Sequence, residues 1–187
     1  MVYRFLILSD ETANFKREIQ ISSEATFLDL HYAILDAVGF TKNEISSFFI
    51  CDDDWSKRTE VTLVDMGAAS DADIYLMETT TLEELLTDEQ QRLLYIFDYM
   101  TERAFFMELS EIITGKTLEK PLCSLSVGQP PVQMISFDEI DKKIEHFDLG
   151  DDFYGDSDYN DDELDSLDSG DYERESIDNI FDDERFS

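Results

Sequence analysis

Basic residues, cysteine, glycine, proline and long apolar runs are all scarce in this 187-residue chain, and each scarcity removes a class of function. Fourteen Lys and Arg face 45 Asp and Glu, a formal net charge of −31 that repels nucleic-acid phosphates and anionic lipid alike. The longest basic run is Lys57-Arg58. Direct nucleic-acid binding and membrane binding are therefore not expected, and a basic protein or a divalent cation suits the field better. Cys51 and Cys123 form no C-x-x-C, which argues against a zinc ribbon or a redox dithiol; two buried or half-buried thiols are expected. The seven glycines stand singly, with no G-x-G-x-x-G, no phosphate-cradling P-loop and no G-x-S-x-G. No catalytic, cofactor-binding or metal-ligating set is recognisable. The apolar run Phe5 to Leu8 stops at Ser9-Asp10-Glu11, too short for the apolar part of a signal peptide or for a bilayer span. A cytoplasmic location is expected.

What is present divides the chain in two. Hydrophobic residues make up 42% of it, enough for one core because they concentrate before residue 151. From Asp151 to Ser187 sixteen acids face two arginines. In the front part, "VYRFLILS" is rich in β-branched and aromatic residues. "FKREIQIS" alternates, with Phe15, Arg17, Ile19 and Ile21 on one side and Lys16, Glu18 and Gln20 on the other. Period-two alternation across the polar link "DETAN" predicts an antiparallel hairpin. "TFLDLHYAILDAVGF" follows: Thr26 and Asp29 form a capping pair, Phe27, Leu30, Ile34, Ala37 and Val38 trace one helical face, and Gly39 ends the helix. Strands are expected at 47–51 and 60–65, a short helix at 81–86 capped by Thr81 and Glu84, and a second hairpin from "RLLYIFDYM" and "AFFMELSEII". Glycines and prolines in "GKTLEKPLCSLSVGQPPVQM" argue against a long element there. "SFDEIDKKIEHF" reads as an amphipathic helix with Phe137, Ile140, Ile144 and Phe147 in a stripe.

The expected fold class is α+β: a β-grasp-like, mostly antiparallel sheet packed on one main helix, plus a C-terminal helix and a disordered acidic tail. The division is a domain over 1–135, the helix and linker over 136–150, and the tail over 151–187. No repeat of 20 to 50 residues is present, which excludes a solenoid.

Several side chains invite a chemical reading, each beside a plainer one. His31 lies on the main helix and His146 on the last, with no third ligand at metal spacing, so packing or helix-flank roles are expected. Asp52 to Asp54 point in successive directions beside Trp55, the one tryptophan; a solvated loop is expected, with the indole folded over the sheet edge. In the tail, a calcium-loop alignment starting at Asp156 places Asp158 and Asn160 correctly. It fails at Asp161, where glycine is needed, and at Leu167, where a bidentate glutamate should close the site. Tyr159, Leu164, Leu167 and Tyr172 interrupt the acids, a composition that fits either a solubilising tail or one that docks on a partner. A rigid nucleic-acid mimic is disfavoured because the Gly/Ser-punctuated segment does not hold its charges at fixed spacing.

The helix and second hairpin resemble the plasmid pRiA4b ORF-3-like family, which includes passenger-type proteins of insertion elements. Thr26, Leu28, Asp29, Leu30, His31, Ala33, Ile34, Ala37, Gly39 and Phe40 meet the family's helix pattern, and the resemblance spans about residues 1–135. In the hairpin the family shows Tyr-Asp-Phe-Gly-Asp-x-Trp and a following His. This chain keeps Tyr95, Phe97, Asp98 and Tyr99, then reads Met100-Thr101-Glu102-Arg103, with Phe105 near the His position. Cys123 and Pro130-Pro131 also match. The resemblance implies a bacterial α+β domain without an accepted reaction, in a diverged member lacking the polar turn positions on which activity would most naturally depend. The expectation is a non-enzymatic interaction module whose acidic tail docks on a basic protein. A metal-assisted enzyme or cation-binding protein using Asp and His is the alternative, and a polyanion competing with DNA for a basic protein is a further one.

Overall fold

The computed structural model describes residues 1–64 and 75–134. Eight strands are β1 (Val2–Leu8), β2 (Lys16–Ser22), β3 (Ser47–Cys51), β4 (Lys57–Thr62), β5 (Tyr75–Leu76), β6 (Arg92–Asp98), β7 (Arg103–Ile113) and β8 (Leu122–Val127). Two helices join them, α1 (Phe27–Val38) and α2 (Leu82–Leu85). The strands make one sheet in the order β5-β4-β3-β6-β7-β1-β2-β8, antiparallel throughout except for the short β4–β5 pair. The fold is thus α+β with a mostly antiparallel sheet. Among the described residues, no helix is long and apolar enough to cross a membrane.

Alternation along the strands produces two apolar faces. Tyr3, Phe5 and Ile7 of β1, with Ile19 and Ile21 of β2 and Phe15 just before it, point into one core with Phe27, Leu30 and Ile34 of α1. Leu6 and Leu8 point the other way and pack with Leu94 and Trp55. Trp55 is 1% exposed, its ring 5.0 Å from that of Phe106 in an edge-on contact. The indole therefore covers the middle of the second face, not the sheet edge expected from sequence. The loop brings it there by bonding the Trp55 N–H to the Asp52 carbonyl at 3.0 Å, with Trp55 itself at φ +64°.

The helix starts are mutually supporting. Thr26 caps α1 by accepting from the Asp29 N–H at 3.2 Å, while the Asp29 carboxylate accepts from the Thr26 N–H at 3.0 Å. The next orphan donors of α1, at Phe27 and Leu28, reach the Thr80 and Met77 carbonyls; those of α2, at Leu82 and Glu83, reach Ala25 and Ser23. Gly39 takes the left-handed conformation that ends α1, at φ +72°.

Three boundaries differ from the sequence reading. β4 begins at Lys57, not at residue 60, because the tight turn over 52–56 starts the hairpin early. β5 was not expected, and β8 occupies the stretch read as irregular: Pro121 and Gly128 bracket a six-residue window free of both residues, wide enough for a strand. The helix at 136–147 and the acidic tail lie outside the described residues.

Candidate functional site

The side chains with chemical potential fall into separate centres, each built by different elements. His31 sits on the core side of α1, four residues after Phe27, and is 1% exposed. Its Nδ1 lies 2.8 Å from the Tyr95 hydroxyl of β6 and 3.2 Å from the Ser46 hydroxyl before β3. Burial, helped by the nearby Lys42 ammonium, pulls the imidazole down to about 4, so it is neutral at physiological pH. Burial also pushes the Tyr95 phenol far up, which keeps its proton in place. The protonated Tyr95 phenol and the neutral His31 imidazole are thus hydrogen-bonded to each other, an arrangement that satisfies both groups inside the core.

Asp98 closes the β6–β7 turn. Its carboxylate accepts from the Met100 N–H at 3.0 Å and from the Thr101 hydroxyl at 2.7 Å, and Arg103 lies 3.6 Å away. Arg103 grips Glu11 with two parallel bonds of 2.8 Å and donates to the Val132 and Gln133 carbonyls. Phe97 lies beneath the guanidinium, 5.0 Å from its ring centre. One buried arginine thereby joins the β1–β2 turn, the β6–β7 turn and the segment after β8.

The acidic loop forms a third centre. Asp52 pairs with Arg58, and the Asp54 carboxylate is held below the usual carboxylate range by hydrogen bonds from the Ser56 hydroxyl and from the Ser56 N–H, the latter at 3.0 Å. Asp52 to Asp54 line an open pocket of about 620 Å³ with Asp88, Glu89, Gln90, Gln91 and Arg92. Neither His31 nor Asp98 reaches it. Among the described residues, no three His, Cys, Asp or Glu side chains come together as a metal-holding group. His146 and the acids at 156–167 lie outside the described residues.

A smaller network joins Tyr99, Ser47 and Glu60, in which Ser47 donates to Glu60 at 2.7 Å and Tyr99 donates to the same carboxylate at 2.9 Å. Burial raises the Tyr99 phenol to about 12. Cys51 is half-buried but Cys123 is exposed, against the expectation of two covered thiols, because β8 is the last strand of the sheet and nothing among the described residues covers it.

The helix residues of the His31 centre and the hairpin residues of the Asp98 centre coincide with a family pattern. The match to the plasmid pRiA4b ORF-3-like protein family runs over residues 2–136. The chain belongs to this family. A solved neighbour in fold is a protein of unknown function, MM3350 from Methanosarcina mazei Go1, with 20% identity, 67% of this chain and 68% of that chain covered, and a TM-score of 0.50. That likeness concerns the fold alone. No curated protein matches the chain. Phe105, near the point where the hairpin resemblance would place a histidine, is fully buried and packed on Phe15 at 5.1 Å and Phe97 at 4.7 Å between ring centres.

Sequence reasoning weighed His31, Asp98 and the acidic loop but missed Tyr95, Ser46 and Arg103 as their partners. The signal for His31 was its i+4 relation to Phe27, which puts it on the apolar face. Arg17 gave a similar sign, a cation in the apolar alternation of β2. It is buried against carbonyls, its Nε donating to Ala37 at the end of α1 at 3.1 Å.

Proposed function

We propose that the protein is a non-enzymatic interaction module of the cytoplasm, whose acidic segment 151–187 docks on a basic protein surface. The observation that carries this reading is the separation of His31, Asp98 and Asp52 to Asp54, each engaged in core or turn contacts and not converging on one pocket. General acid–base chemistry needs such groups within reach of one substrate. The charge distribution supports the binding half of the proposal: sixteen acids in the last 37 residues, spaced by aromatic and aliphatic side chains, attract a basic surface and supply apolar anchors. In this reading a DNA-binding protein is a fitting partner, with the tail competing for its basic face. The β1–β2–α1 unit is the β-grasp-like part of the domain.

The test is a pull-down that compares the full chain with one ending at Gly150. Loss of a basic partner on truncation is expected, and equal recovery would remove the tail from the function. The cation-binding alternative has weaker support, since the acids around the 620 Å³ pocket form no metal-holding group. Calorimetric titration with calcium, magnesium, manganese and zinc separates the readings: a saturable site tighter than about millimolar would favour the alternative.

A further inference from the structure

All six residues of β8 are exposed, yet the strand is firmly held. Gly128, at φ +69°, passes so close to the β1–β2 turn that a Cβ there would lie 2.4 Å from the Asn14 carbonyl oxygen. Buried Arg17 donates to the Val127 carbonyl at 2.5 Å and to Gly128 at 3.1 Å, tying the strand's end to α1 through Ala37. Beyond β8 no described strand follows, so a fixed row of backbone donors and acceptors is presented outward.

Sheet edges are ordinarily blunted by charge, proline or a covering element. "LCSLSV" carries no charge and no proline. Leu122, Leu125 and Val127 pair with Gln20, Glu18 and Lys16 on the sheet's second face and remain 50%, 37% and 45% exposed. Beside them the β1–β2 turn leaves a pocket of about 610 Å³, walled by Leu8, Phe15, Leu125 and Val127.

We propose that β8 is a self-association edge, on which two copies of the chain pair their β8 strands antiparallel about a two-fold axis. The distribution of features along the strand selects this occupant. The pocket and the acidic turn carrying Asp10 lie at the Val127 end, whereas Leu122 and Lys120 lie at the other. Antiparallel pairing brings each copy's Leu122 to the mouth of the other's pocket and each Lys120 toward the other's acidic turn. Complementarity to itself under a two-fold rotation is the requirement of an isologous interface. An unrelated extended peptide would satisfy one half of it. The net charge of −31 opposes association, but residues 122–127 contain no acid, and at about 0.15 M salt charges are screened beyond about 8 Å.

Sedimentation velocity on the full chain at physiological salt, across the micromolar range, tests the proposal independently of the acidic tail's role. A concentration-dependent monomer–dimer equilibrium is expected. Leu122→Lys with Leu125→Lys should abolish it, with circular dichroism confirming the fold. Lys120→Glu, an exposed change, should weaken it about tenfold or more because the contact occurs twice, and adding Asp10→Lys should restore it. A wild-type chain that stays monomeric, a dimer indifferent to the leucine changes, or a charge swap without restoration would each overturn the pairing.

Discussion

Acidification should destabilise this protein through His31 in a pH range where most of its carboxylates are still ionised. In the unfolded chain the imidazole titrates near 6.5, and in the fold burial holds it at about 4. Between those values the unfolded state binds the extra proton, so stability is fully present above 6.5 and is lost as pH falls toward 4. The gap corresponds to about 3 kcal/mol, since each pH unit contributes about 1.4 kcal/mol. Measured from pH 7 to pH 5, the loss is about 2 kcal/mol. Stopping at pH 5 avoids precipitation near the isoelectric point of about 4.1 and most of the carboxylate titration. The remaining carboxylate titration is common to the wild type and to a His31 variant. Comparison with His31→Gln isolates the effect: the amide oxygen can still accept from Tyr95 but does not titrate. Urea unfolding of both proteins at pH 7, 6 and 5 should show the wild type losing about 2 kcal/mol relative to the variant. Parallel pH profiles would refute the neutral, buried imidazole. His146 is common to both proteins and cancels.

Other consequences follow from backbone and burial. Gly128→Ala should lower stability by about 2 kcal/mol or more, because strain at φ +69° adds to a backbone clash, whereas Gly39→Ala, at φ +72° in open space, should cost about 1 kcal/mol; equal urea midpoints for the two would contradict the close approach to Asn14. Arg103→Met leaves Asp98 buried without its cation and should cost about 3 kcal/mol, while Arg58→Met, at an exposed pair, should leave the unfolding midpoint unchanged. If Arg103→Met unfolds like wild type, the three-way joint is not what holds those turns. As the one tryptophan, Trp55 should resist acrylamide quenching in the fold and become quenchable only on unfolding; ready quenching of the native protein would place the indole in solvent.

The parts of the fold legible in sequence are those specified by neighbours along the chain. Alternation in β2 identified the buried side, including Arg17, and the Thr26–Asp29 spacing located the start of α1 to the residue. What was hidden depends on partners distant in sequence. His31 and Tyr95 are 64 positions apart, and no local pattern announces their bond. Trp55 reaches the second face through a left-handed backbone angle at a bulky residue, a conformation local preference would reject. β8 escaped because the prolines and glycines around it signal irregular chain and a bulge at Ser124 breaks its alternation between Leu122 and Leu125. Its existence rests on ladder bonds to β2 and on Arg17, which no property of residues 122–127 encodes.

The residues that place this chain in its family also explain why membership says more about shape than reaction. Thr26 and Asp29 close the start of α1, Leu30 enters the core, Gly39 turns the chain out, and Phe40 packs on Phe97 and Phe105 at 5.3 and 5.9 Å between ring centres. His31, the most reactive residue in the pattern, shares a hydrogen bond with Tyr95, itself part of the retained hairpin pattern. The two segments of resemblance are therefore the two sides of one joint between α1 and β6. A joint constrains sequence as tightly as a catalytic centre does, because a buried imidazole must keep its hydrogen-bond partner and a left-handed helix end favours glycine. Replacing His31 by leucine would take the Nδ1 partner from the buried Tyr95 and Ser46 hydroxyls, leaving them only each other, and should cost about 1–3 kcal/mol, whereas replacing His31 and Tyr95 together by Leu and Phe should restore part of that loss. If the double replacement were no better than the single one, the retained pair would need an explanation beyond packing.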